Sequence, residues 1–185
     1  MKTVTDIPRK LNKENIDNAI ETYKSLLNEI PLRIEGSNIL ELLTKLKRDK
    51  INFGPWKNVS IFEAANRIMT DLIILYGIKQ ILDGTLPHLN LYKEFDVELG
   101  NENKNLHDIV SYSNGKTLIG EAFNVAPSFF NVKKGKSIKK LVGSISPKDH
   151  LVILCNSDSH TARVFKTSTI NEIEIIRVDV SCLLR

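Results

Sequence analysis

Two acidic residues, Asp108 and Glu121, stand either side of Asn114-Gly115. That dipeptide is the strongest short-range signal for a two-residue turn between antiparallel strands. With Asn114 and Gly115 as the loop, Ser113 pairs with Lys116, Val110 with Ile119 and Ile109 with Gly120. Asp108 then falls opposite Glu121. Directly opposed residues have Cβ atoms about 4.5–5.5 Å apart, where like charges repel unless a cation or a proton lies between them. Glu121 sits in Leu118-Ile119-Gly120-Glu121-Ala122-Phe123-Asn124-Val125, a run apolar on both faces and so a strand covered on both sides. A carboxylate there is costly unless protonated, paired or bound to a cation. Gly120 beside it permits close approach of backbone or ligand. Hard oxygen donors suit Mg²⁺ or Mn²⁺ with retained waters, and such an ion activates water and steadies a phosphate. Two other readings stand. A bulge separates the carboxylates, or Glu121 pairs with a buried Lys or Arg.

The cations are as unevenly placed as the acids. No Asp or Glu occurs between Glu121 and Asp149, yet Lys133, Lys134, Lys136, Lys139, Lys140 and Lys148 fall there. The net charge is +4; this window carries six lysines, and the remaining 20 basic and 22 acidic residues leave −2 elsewhere. Pro127, Phe129, Phe130 and Gly135 punctuate the stretch. Such a segment is either a solvated face or a loop that tracks a phosphate backbone. A helix predicted over Ser137–Val142 adds N–H groups for an anion at its start. A second polar stretch, Asn156–Arg163, is either a base-contacting loop or a solvated connection.

The elements that must hold these groups follow from periodicity. Helices are predicted over Asn15–Ile30, stopped at Pro31; from Ser37 or Asn38, with Ile39, Leu42, Leu43 and Leu46 on one face; and over Ser60–Leu82. Gly54-Pro55 separates the second from the third. Ser60 and Glu63 fit a capping box, and the third helix is apolar nearly all round, which implies burial on most sides. Strands are predicted over Phe95–Leu99, Asp108–Tyr112, Thr117–Val125, Leu151–Cys155 and Ile173–Val180. The chain's 185 residues suit one domain. Cys155 and Cys182 lie in apolar runs without metal-type spacing and read as reduced core thiols. Met1–Lys13 has no hydrophobic core of a signal peptide, and Leu72–Leu82 is too short and polar to span a bilayer. A cytoplasmic protein without a membrane partner is expected.

Asp108 before a hairpin, Glu121 in an apolar strand and a basic helix after it resemble the PD-(D/E)xK nuclease superfamily, which includes restriction endonucleases. The resemblance spans about Ile61 to Val180. It implies an α/β (α+β) fold with a restriction endonuclease-like core. That core is a mixed central sheet of about five strands flanked by helices, residues 59–185, with a helical N-terminal region, 1–58, packed on it. In that family the Asp opens the second core strand, the Glu lies in the third, and both bind Mg²⁺, for which Mn²⁺ substitutes. A glutamate on the preceding helix often joins them. Glu63 matches it, the alternative being a capping residue only; Asp71, further along, is a weaker match. Two positions depart from the pattern. His107 stands where the family has Pro; it is either a proton acceptor or, since by alternation it faces away from Asp108, a polar strand-edge residue. Phe123 stands where the family has Lys. The missing base then comes from the next helix, with Lys136 assigned and Lys139 and Lys140 within similar reach. The implied activity is a Mg²⁺-dependent endodeoxyribonuclease of the type II restriction kind. It would cut double-stranded DNA as a homodimer, with Lys133, Lys134, Lys136, Lys139 and Lys140 on the phosphates. Phe123 favours the alternative, a catalytically silent module that binds nucleic acid or protein. A metal-dependent phosphoesterase acting on small nucleotides is a third reading.

Overall fold

The computed structural model describes residues 6–30, 35–52, 56–100, 102, 104–143, 150–159 and 173–181. Pro31, Gly54, Pro55, Lys148, His160–Arg163 and Cys182 lie outside the described residues.

The fold is mixed α/β. The strands are β1 (Lys10–Asn12), β2 (Lys50–Ile51), β3 (Val59–Ser60), β4 (Glu94–Val97), β5 (Ile109–Ser113), β6 (Lys116–Phe123), β7 (His150–Asn156) and β8 (Ile173–Val178). A six-stranded sheet has the order β1-β4-β5-β6-β7-β8, and β2 and β3 form a separate two-stranded sheet. The helices are α1 (Ile16–Asn28), α2 (Ile39–Arg48), α3 (Ile61–Leu82) and α4 (Phe130–Val142). All five predicted strands occur. The sixth, β1, is a three-residue edge strand on β4, too short and polar to show alternation.

Local chemistry explains the boundaries. Asn38 and Ser60 cap α2 and α3, accepting from the Glu41 and Glu63 N–H groups at 2.9 and 3.2 Å. Asn114 and Gly115 both have positive φ, 50° and 73°, which gives the turn the twist that antiparallel strands require. The hairpin register is as predicted from Ile109↔Gly120 to Ser113↔Lys116.

The sheet changes character at β6, which is antiparallel to β5 and parallel to β7. Helix α4 makes the β6–β7 crossover, as a parallel pair requires. The two faces carry separate clusters. Leu118, Val152, Leu154, Ile176 and Val178 pack with residues of α1 and α3. Ile119, Phe123, Leu151, Ile153 and Cys155 pack with Phe130 and Leu141 of α4. Helix α3 meets the sheet closely at Gly77, where a Cβ would lie 2.4 Å from Leu154 Cδ1. Gly120 also serves packing rather than ligand approach, because Val152 and Ile109 fill the space beside it.

Three predictions are corrected here. Helix α4 begins at Phe130, not Ser137, so Ser137 lies mid-helix and offers no free N–H groups. Helix α3 is not buried on most sides along its whole length. Its second half is, but Phe62 is exposed and Ile61, Ile68 and Met69 are only half-buried. The predicted loop from Asn156 is, in its described part, structural. The Asn156 side chain bonds Val125 N and O at 2.9 and 3.0 Å, and Ser159 donates to Asn156 O.

Gly100 and Gly115 both have positive φ but differ in surroundings. A Cβ at Gly100 would sit 1.4 Å from Trp56 Cη2, whereas nothing lies within 4 Å at Gly115. Gly100→Ala combines backbone strain with overpacking and is expected to cost about 3 kcal/mol or more. Gly115→Ala carries strain alone, about 1 kcal/mol. Urea unfolding of the two variants checks the difference.

Candidate functional site

Glu121 points to the α4 face of β6, in alternation with Ile119 and Phe123. It is 5% exposed. Its oxygens are divided between two donors. Lys140 Nζ on α4 lies 2.8 Å from Oε2, and His107 Nδ1 lies 2.8 Å from Oε1. A carboxylate can only accept, so this contact uses the His107 tautomer with hydrogen on Nδ1. The prediction for His107 is therefore corrected. It is a buried partner of Glu121, because the chain leaves strand geometry just before Ile109 and alternation no longer sets its direction.

Asp108 lies at that departure. It is not a ladder residue, since pairing ends at Ile109↔Gly120. Its main-chain carbonyl accepts from Glu98 N at 2.9 Å, and its Oδ2 accepts from Ala122 N at 2.7 Å. This second bond ties Asp108 to the residue after Glu121. Burial first, and then the Glu121 charge, push the Asp108 carboxyl up to about 6. The Ala122 N–H, Lys140 and His107 act in the opposite sense. Below about pH 6 the Asp108 carboxyl is therefore mostly protonated.

A cleft of about 930 Å³ opens over this point. One wall is a stripe of α3 carrying Phe62, Glu63, Asn66, Arg67 and Thr70. The other is a face of α4 carrying Val132, Lys133, Lys136 and Lys140, preceded by Phe129. Asp108 and the end of β6 from Ala122 onward form the floor. The predicted lysines thus divide. Lys133, Lys136 and Lys140 line the cleft; Lys134 instead lies over the Phe130 ring at 5.6 Å, and Lys139 is not among the lining residues. Lys140, not the assigned Lys136, makes the contact with Glu121. Phe123 stacks edge-on with Phe130, centroids 5.9 Å apart, so a lysine here would enter an apolar cluster.

Glu63 lies on the cleft wall, but its carboxylate holds Arg67 at 2.6 Å, with Lys50 3.9 Å away. It is not joined to Asp108 and Glu121. The half of the capping box that the structure shows is the Glu63 N–H donating to Ser60.

Two further acids line the cleft: Asp71, weighed in the sequence only as a weaker match than Glu63, and Glu98, which was not singled out there. Asp71, 2% exposed, accepts from Tyr23 Oη at 2.6 Å and from Gly100 N at 2.8 Å. Glu98 accepts from Lys104 N and Asn105 N at 3.2 and 3.1 Å. Both carboxylates fold the segment after β4 back toward Asp108. The signal for Asp71 was an acid inside the apolar part of a helix. Burial pushes its carboxyl up to about 7, against the Tyr23 hydroxyl, the Gly100 N–H and the Arg9 charge.

Mg²⁺ suits the donor set in part. Asp108 and Glu121 offer hard oxygens, and one or two carboxylates with waters suffice for this ion. Among the described residues, no group of three or more His, Cys, Asp or Glu could hold a metal. Each Glu121 oxygen already accepts one hydrogen bond, so an ion would take a remaining lone pair beside Lys140 or His107. No protein-family model matches the chain, and neither does any curated protein or solved structure. No helix among the described residues is long and apolar enough to cross a membrane.

The raised Asp71 value has a consequence for stability. From about pH 4 to 7 the folded state keeps a proton that the unfolded state has released, so this group lowers stability as pH rises through that window. Asp71→Asn is expected to flatten that slope. Losing one of two accepted hydrogen bonds shifts the whole curve by about 1–3 kcal/mol without changing its slope. Urea unfolding of both proteins across the window separates slope from offset.

Proposed function

We propose that the chain is a Mg²⁺-dependent endodeoxyribonuclease that hydrolyses phosphodiester bonds at the floor of the cleft. One observation carries the reading: a buried Glu121 shares its carboxylate with Lys140 beside Asp108, under a wall of lysines. The order α3-β4-β5-β6-α4-β7 supports it, with Asp108 just before β5 and Glu121 in β6, as the resemblance to PD-(D/E)xK nucleases implies. Asp108 and Glu121 would hold the ion, which supplies activation of water and neutralisation of phosphate charge. Lys140 takes the part of the motif lysine, approaching Glu121 from the helix instead of from the strand. Its ammonium stands beside the carboxylate, where it would orient the attacking water and offset developing negative charge. His107 orients Glu121 through its contact with Oε1. Lys133 and Lys136 meet the backbone as charge contacts that carry no sequence information.

A second reading rests on the same contacts. With both oxygens of Glu121 satisfied by Lys140 and His107, the cluster is complete without a metal. The protein is then a nuclease-like binding module.

Incubation of supercoiled plasmid with the protein and Mg²⁺ separates the two. Nicking is expected, with at least a hundredfold loss in Asp108→Ala, Glu121→Ala and Lys140→Ala and little change in Lys139→Ala. Absence of cleavage with both Mg²⁺ and Mn²⁺ would overturn the enzyme reading. Cleavage that survives Asp108→Ala and Glu121→Ala would overturn the site.

A further inference from the structure

The cleft carries an aromatic ring on each wall that hydrolysis does not use. Phe62, in the first turn of α3, and Phe129, which precedes α4, are 55% and 62% exposed, and both line the cleft. Val132, one helical turn on from Phe129, is also exposed and lines the same wall. Exposed apolar side chains grouped around a concavity mark a binding surface. These are interleaved with cations: Lys133 and Lys136 follow Phe129 on one face of α4, and Arg67 lies on the α3 wall. Lys47 Nζ sits 5.8 Å from the Phe62 centroid and sets another positive charge beside that ring.

Rings and cations together select a particular ligand. In a duplex the base faces are stacked on one another and only their edges are open in the grooves. A phenyl ring has nothing to stack on there. In a single strand the base faces are free, and aromatic platforms with a positively charged groove are the recurring solution for holding them. The volume points the same way. About 930 Å³ is the size of a small-molecule pocket and takes a few nucleotides of one strand.

We propose that the cleft binds an unpaired nucleic-acid strand, its bases stacked on Phe62 and Phe129 and its phosphates against Lys133 and Lys136. This rests on the cleft being the site proposed above, and it names the form of substrate that site takes. The target is a single-stranded segment, an end or a locally opened stretch of DNA.

The test is binding without hydrolysis. A short fluorescein-labelled oligodeoxynucleotide, single-stranded or annealed to its complement, is titrated with the protein in EDTA and followed by anisotropy. The single strand is expected to bind roughly tenfold tighter than the duplex. Phe62→Ala and Phe129→Ala should each weaken single-strand binding about tenfold and leave duplex binding unchanged. Phe→Leu at either position keeps the apolar bulk and should show the same loss, while Phe→Trp restores binding. Lys133→Gln should lower the salt dependence of single-strand binding by about one phosphate contact. Equal affinity for both forms, no binding of either, or Phe variants that bind like the wild type overturns the proposal. Tight single-strand binding without cleavage in Mg²⁺ tells against the nuclease reading alone.

Discussion

A carboxylate buried on a sheet face has to be neutralised, and the arrangement around Glu121 is organised by that requirement. Its strand is apolar on both sides, with one cluster under α3 and another under α4. Placing a charge there without a partner costs several-fold more than an ordinary hydrogen bond contributes, about 1 kcal/mol. Lys140 and His107 each take one oxygen. Each partner constrains a different part of the chain. Lys140 is three turns from the start of α4, so the helix must run unbroken from Phe130 and cross the sheet at the height of β6. His107 reaches the same carboxylate only because the chain bends out of strand geometry before Ile109. That bend also leaves Asp108 free to accept from Ala122 N.

Across the cleft a second buried acid does comparable work on the backbone. Asp71 joins α1 through Tyr23 and the segment after β4 through Gly100 N. Burial and the neighbouring Asp71 charge both push the Tyr23 hydroxyl up, so the tyrosine stays a donor. Trp56 occupies the space where a Gly100 side chain would be, which ties the segment before α3 to the same point. Glu98 then folds residues 104 and 105 inward with two accepted hydrogen bonds. The α3 wall is thus set by acids that bond backbone, and the α4 wall by lysines that face the open cleft.

Much of this was legible in local sequence. Asn114-Gly115 specified the hairpin register, and Ser60 and Asn38 specified two helix starts, because each acts through its own backbone neighbours. Helix α4 was misplaced for the same reason. Phe129 is its N-cap and makes no side-chain cap bond, so nothing local announced the start at Phe130. That Glu121 pairs with a basic residue was one of the readings open in the sequence, but the choice of Lys140 depends on how the crossover helix lies on the sheet. Lys136 and Lys140 are four residues apart and so share a helix face; only the tertiary position of α4 decides which reaches the carboxylate. Asp71 was visible as an odd acid, but its partners come from α1 and from a loop far along the chain.

The apolar side chain at 123 and the cation at 140 follow from the same geometry. The side chain at 123 points into the cluster beneath α4 and packs on Phe130. A lysine there would have to carry its charge out past that ring. Lys140 on α4 approaches Glu121 from the cleft side and is 41% exposed along its side chain. The carboxylate needs a cation at one oxygen and is indifferent to which element delivers it. Apolar packing at 123 and a charge at 140 are therefore two halves of one solution. The strand gains a sealed cluster under α4, and the cation reaches Glu121 from the side of the open cleft. The position of a charge in space, rather than its place in a motif, is what the chemistry of such a site depends on.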